Sequence, residues 1–235
     1  MKAKIFTNVV ANVVIVVLIL SLVALTGVGS SVSVFDFGDD DPVYKGNSAD
    51  AVCLMINVYW GTEYIDGILE TLHKYNATTT FFVGGCWAVK NPDVLKKIVE
   101  HGHEIGNHGY FHKQHSKLTA EQNETEIASC GNVVYQLTGT TCTLFAPPSG
   151  DFGKKTLAAA KKLGYRTIMW SRDTIDWRDK DSELVFTRAT KDVNGGDFIL
   201  MHPTAHTLSA LDKILRYYKK VGLRVAPVGQ LLSGV

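Results

Sequence analysis

The sequence of 235 residues predicts an α/β protein in which helices alternate with short buried strands around a parallel sheet. Three observations predict it. Segments of helical character end near Gly or Asn and run at once into a short apolar stretch. Those stretches are rich in Val, Ile, Phe and Thr and lack polar alternation, as strands covered on both faces do. The unit then recurs along the chain, as "LHKYNATTTFFV", "VEHGHEIGN", "YQLTGTTCTLFA", "KKLGYRTIMW", "NGGDFILMH" and "KKVGLRVAPV". Helix alternating with buried strand implies βα units. Gly at the junctions fits the left-handed residue that closes many helices.

The N-terminus has a different character. Lys2 and Lys4 precede an apolar run that only Ser21, Thr26 and Gly27 interrupt between Val13 and Val28, and no charge appears before Asp36. Residues 1–30 therefore read as a hydrophobic helix, either a cleaved signal peptide or a membrane anchor. Basic residues ahead of the run keep the N-terminus in the cytoplasm, so both readings export the remainder of the chain. The next segment, 31–50, contains "FDFGDDDPVYKGNSAD" and reads as an acidic, polar linker. Residues 51–235 hold the repeated units and form one domain.

The chain carries 24 basic and 23 acidic residues, a net charge of +1. Such balance argues against nucleic-acid binding and favours neutral polymers or small molecules as partners. None of the four cysteines lies in a CxxC pair, which argues against a cysteine zinc site. Cys130, two turns before a predicted helix end, and Cys142, at the next strand, suggest a disulfide in an exported protein. Cys53 and Cys86 fall at opposite strand ends and are expected to be free. "NAT" at Asn76 and "NET" at Asn123 fit the glycosylation pattern.

In a parallel α/β protein the carboxyl ends of all strands open on one face, which carries the active site. Asn57 follows "CLMI", Gly84 and Gly85 follow "TFFV", and Asn107 and His108 follow "HEIG". Pro147 and Pro148 follow "TLFA", Ser171 and Asp173 follow "RTIMW", and His202 follows "FILM". His108 and His112 are four apart, so a helical turn would put both rings on one face, where neutral imidazoles suit a metal. His202 on the same face strengthens that reading over a solvated loop. His115 is expected outside the site, and His101 and His103 at a helix end or the surface. Asp176, in "SRDTIDW", is a candidate partner for a histidine, since a carboxylate fixes its tautomer. Asp173 is as well explained by a turn.

"GHEIGNHGYFH", "FAPPSG", "DTIDW" and "ILMH", in this order, resemble the motifs of the polysaccharide deacetylases, the NodB-homology or carbohydrate esterase family 4 group. The resemblance spans Ala51 to Val235. It implies an irregular (β/α) barrel of about seven parallel strands and a divalent metal, usually zinc. It also implies hydrolysis of N-acetyl groups on peptidoglycan or chitin-like glycan. Position by position, it makes His108 and His112 metal ligands and His202 the acid that protonates the leaving amine. Asp176 then supports His202, while Trp177 and Leu200 line the acetyl pocket, with Pro147 and Pro148 counted among the substrate-binding residues.

Two positions depart from the family pattern. The first motif of the family reads Thr-Phe-Asp-Asp-Gly, its aspartates being base and metal ligand, whereas this chain has "LMINVYWGTE". We expect Asn57 and Val58 in those two places. An Arg that orients the base in the family is here Ala146. Asn57 offers an amide oxygen but no base. Glu63, on the same loop, is the first candidate for a replacement carboxylate and Asp151 the second. Glu63 reads equally well as a helix N-terminal charge. Two functions are open: a metal-dependent deacetylase weakened by the missing base, favoured by the surviving His108, His112, Asp176 and His202, or an inactive member that binds glycan or a protein.

Overall fold

The computed structural model describes residues 42–233. The hydrophobic run and most of the acidic segment, and with them the expected N-terminal helix, lie outside the described residues. Among the described residues no helix is long and apolar enough to cross a membrane.

The fold is a curled parallel sheet wrapped by helices. Its strands are β1 (Ala51–Val58), β2 (Thr80–Val83), β3 (Glu104–Asn107), β4 (Leu144–Phe145), β5 (Arg166–Thr167), β6 (Arg172–Asp173), β7 (Phe198–Met201) and β8 (Arg224–Val225). They run in the order β5-β4-β3-β2-β1-β7-β6, with β8 paired to the start of β1. Every ladder between these strands is parallel. The helices are α1 (Ile65–Lys74), α2 (Gly85–Lys90), α3 (Pro92–Glu100), α4 (Ala120–Thr138), α5 (Lys154–Lys162), α6 (Asp176–Asp179), α7 (Ser182–Thr190), α8 (Ala205–Lys220) and α9 (Val228–Ser233). Each unit read from the sequence has its strand. The one missed is β6, two residues inside "SRDTIDW" whose polar side chains hide it from any hydrophobic pattern.

All of β1 is buried, and its side chains alternate between two cores. Val52, Leu54, Ile56 and Val58 pack outward against the helices. Ala51, Cys53 and Met55 face the concave side with Phe82, Ala146, Ile168 and Phe198, and Val228 and Leu231 of α9 join that cluster. Sheet alternation therefore turns Asn57 to the same side as Cys53 and Met55, at the carboxyl end of the strand.

The sheet does not close by a ladder between β5 and β6. The segment before β1 is stitched there instead: Val43 bridges Ile168 in parallel and Lys45 bridges Asp197 in antiparallel sense. Lys45 also pairs with the buried Asp197 at 2.8 Å. Residues 43–50, expected as linker, are thus part of the body.

Three further expectations need correction. All four cysteines are free. Cys130 points its thiol at the Val83 carbonyl, 3.2 Å away, and Cys142 lies before β4 rather than within it. Burial pushes the Cys142 thiol up to about 12. His103 is buried, and its Nδ1 accepts the Thr79 N–H at 3.2 Å; burial lowers it to about 4. Asn123 is also buried, its side chain bonded to His115, so it offers no site for a glycan.

Candidate active site

The strand ends converge on a pocket of about 240 Å³ lined by Asn57, Tyr59, His108, His112, Ser149, Trp170, Asp173, Trp177, Leu200 and His202. Strands β1, β3 and β7 end in it, and the loops after β4 and β5 complete it. Topology gathers residues that are 145 positions apart in the chain, from Asn57 to His202.

His108 directly follows β3 and is fully buried. Its Nδ1 lies 2.7 Å from the Ala146 carbonyl. A carbonyl only accepts, so Nδ1 carries the proton and Nε2 keeps its lone pair. Burial, then the neighbouring His112, hold this imidazole well below the ordinary histidine range. His112 reaches His108 by a route other than the expected helical turn. The segment is a loop, and His112 takes a left-handed φ of 55°. The two ring centroids are 5.0 Å apart. Burial pushes the His112 imidazole down to about 4. Glu126 of α4 pins this loop by accepting the N–H groups of Tyr110 and Phe111 at 3.1 and 2.8 Å. Gly109, at φ 70°, passes so close to His115 that a Cβ would sit 3.1 Å from its Nε2. His115 itself is buried behind the loop against Asn123 and does not line the pocket.

Asp176 opens α6 under the pocket and receives four hydrogen bonds. The His202 N–H donates to Oδ2 at 2.7 Å, His202 Nδ1 to Oδ1 at 2.9 Å, the Thr207 hydroxyl to Oδ2 at 2.5 Å and the Trp177 N–H to Oδ1 at 3.0 Å. Burial alone would raise this carboxyl. The His202 and Thr207 hydrogen bonds and the His202 charge outweigh it, so the group stays below the ordinary carboxylate range. Asp173 lines the pocket with Oδ1 taking the Ile175 N–H at 2.8 Å, and burial raises its carboxyl. Leu200 and the half-exposed Trp177 form the apolar wall.

The first motif sits in a different register from the expected one. Val58 is fully buried in the outward core, so its position cannot present a metal ligand. Anchoring the motif on its glycine, with Gly61 at φ 63°, places Asn57 at the threonine and Tyr59 and Trp60 at the two aspartates. The contacts agree. The Tyr59 ring stacks on His112 with centroids 3.5 Å apart, and Trp60 stacks on His202 at 5.2 Å. Aromatic rings thus occupy the space beside the histidines where carboxylates would stand. Asn57 is 3% exposed, and its Oδ1 has no hydrogen-bond partner.

Glu63 is not brought into the pocket. It is exposed, its Oε2 accepts the Thr62 N–H at 2.9 Å, and its own backbone N–H and that of Thr62 hold its carboxyl below the ordinary range. Asp151 is likewise taken by the Ser116 N–H and hydroxyl at 2.8 and 2.7 Å. Pro147 and Pro148 are buried and do not line the pocket. They turn the chain so that Ser149, at φ 56°, does so instead. Ala146, in the place of the family arginine, contributes only its carbonyl. Sequence reasoning missed Tyr59, Trp60, Ser149 and Trp170. For the first two, the signal was an aromatic pair between a buried strand and a glycine.

A family model for polysaccharide deacetylases matches residues 44–168. The chain belongs to the polysaccharide deacetylase family. It is 38% identical to the uncharacterized protein YlxY of Bacillus subtilis over 82% of its length, and spans only 61% of that relative. It is 30% identical to the peptidoglycan-N-acetylmuramic acid deacetylase PdaA of the same species, over 82% of this chain and 75% of that one. A solved structure from Bacillus anthracis, described as a pseudoenzyme of carbohydrate esterase family 4, shares 34% identity and a TM-score of 0.80 over 82% of this chain and 69% of that one. A mutant of the same protein, with a TM-score of 0.80, is described as having restored enzymatic activity.

The resemblance implies a divalent metal, and the donor set does not fit that group. His108 and His112 supply two imidazoles. Among the described residues no three His, Cys, Asp or Glu side chains gather into a metal site, and Tyr59 covers the face of His112.

Proposed function

We propose that the chain binds cell-wall-type amino-sugar glycan in this pocket without deacetylating it. One observation carries the reading: Tyr59 and Trp60 stack on His112 and His202, and among the described residues no third His, Cys, Asp or Glu side chain joins the histidine pair as a metal site. Hydrolysis of an acetamide needs water made nucleophilic. Loss of a general base alone costs about 10²- to 10⁴-fold, and a lost third metal ligand adds to that. What remains is an aromatic and hydrogen-bonding cleft, the composition expected of a sugar site. Export, predicted by the N-terminal apolar run, would put the pocket beside wall glycan. The pseudoenzyme relative, whose mutant is described as having restored activity, supports a family scaffold that persists without turnover.

A second reading, slow hydrolysis, is favoured by the intact hydrogen bonding of His202, Asp176 and Thr207. Acetate release from acetylated peptidoglycan and chitin oligomers, with zinc added, separates the two. We expect none from the native protein, and measurable release together with stoichiometric zinc from the double variant Tyr59→Asp, Trp60→Asp. Acetate release by the native chain that His202→Ala abolishes would overturn the binding reading.

A further inference from the structure

The ten residues lining the pocket include no Lys or Arg, and the arginine of the family is Ala146. Acceptors stand in and beneath the cleft. Asn57 Oδ1 is buried and lacks a donor. An unpaired buried acceptor favours a donor brought beside it. His108 Nε2 keeps a lone pair, because Nδ1 is committed to the Ala146 carbonyl. Asp173 adds a carboxylate to the lining, which it shares with the aromatic side chains of Tyr59, Trp170 and Trp177. The carboxylate of Asp176 is already engaged by His202 and Thr207.

An acetamide uses these acceptors less fully. It brings one N–H donor and a carbonyl that needs a donor or a metal to meet it. A primary ammonium brings three donors and a charge, and cations are attracted to aromatic faces. A divalent cation is less suited, since the described residues gather no third His, Cys, Asp or Glu side chain around the histidine pair.

We propose that the pocket receives the ammonium group of an already deacetylated amino-sugar residue, making the chain a reader of the product of its catalytic relatives. This rests on the glycan-binding reading and narrows it to the unacetylated sugar. It also fixes a place in a reaction sequence: a deacetylation step, hydrolysing acetamide to amine and acetate, must supply the ligand.

The test is calorimetric titration of the full chain, with a metal chelator present and at neutral pH, with a glucosamine tetramer and with its N-acetylated counterpart. The amine oligomer is expected to bind about tenfold more tightly or better, the size of one charge-assisted contact. In Asp173→Asn, which keeps the oxygen that accepts the Ile175 N–H, the preference is expected to vanish. Equal or tighter binding of the acetylated oligomer overturns the inference and leaves the glycan-binding reading standing, as does an unchanged preference in Asp173→Asn. Binding of neither oligomer removes both. The native comparison needs no variant, so a folding defect in Asp173→Asn leaves the test intact. The chain's net charge of +1 gives no general attraction for a polycation that would mimic the result.

Discussion

Replacing Asp176 with Asn changes no volume but alters the hydrogen-bond count at the centre of the site. The carboxylate offers two oxygens to four donors: two from His202, one from Thr207 and one from Trp177. Asparagine has one such oxygen. With that oxygen in the Oδ2 position, the His202 N–H and the Thr207 hydroxyl keep their acceptor. The new amide then faces His202 Nδ1 and the Trp177 N–H. The imidazole can answer only by moving its proton to Nε2 so that Nδ1 accepts, and the Trp177 N–H is left without a partner. One charge-assisted bond is lost outright and others become neutral, so we expect a destabilisation of about 3 kcal/mol. For a domain of this size that lowers the melting temperature by roughly 6–12 °C. Thermal melts followed by circular dichroism measure the first effect, and long-range nitrogen–proton spectra of the histidine rings the second. A melting temperature within a degree of the native value, or a His202 ring that keeps its proton on Nδ1, would refute the reasoning.

Two other outcomes are expected. Reducing agent should leave the melting temperature unchanged, since all four thiols are free; a fall of several degrees would mean that Cys130 and Cys142 are joined. Glu104 is half-buried and accepts the Thr80 hydroxyl at 2.6 Å and the Gly229 N–H at 3.1 Å, and desolvation raises its carboxyl. A raised carboxyl in the folded state stabilises most below the unfolded value of about 4.3 and loses that contribution as pH rises through the folded value. Glu104→Gln keeps the accepting oxygen without the charge. In paired denaturant titrations across pH 4 to 8 it should gain stability relative to the native chain as pH rises, and a flat difference would contradict this.

The sequence by itself determined the fold class, because hydrophobic strands alternating with helices leave few topologies and a parallel sheet gathers its carboxyl ends. That logic placed Asn57, His108, Asp173 and His202 in one pocket, to which the histidine spacing added His112 and the family resemblance Leu200. The family motifs located Asp176 beneath His202. Tertiary structure alone decided the rest. The register of the first motif depends on which side of β1 each residue faces, and only the packed sheet shows Val58 turned outward and Tyr59 and Trp60 turned inward. Glu63 was ambiguous for the same kind of reason: spacing places a carboxylate on a loop, but backbone N–H groups beside it decide where it points. The meeting of His108 and His112 rests on a left-handed residue and on Glu126 holding the loop. Such long-range pinning has no local periodicity, so the chain must fold before it can be read.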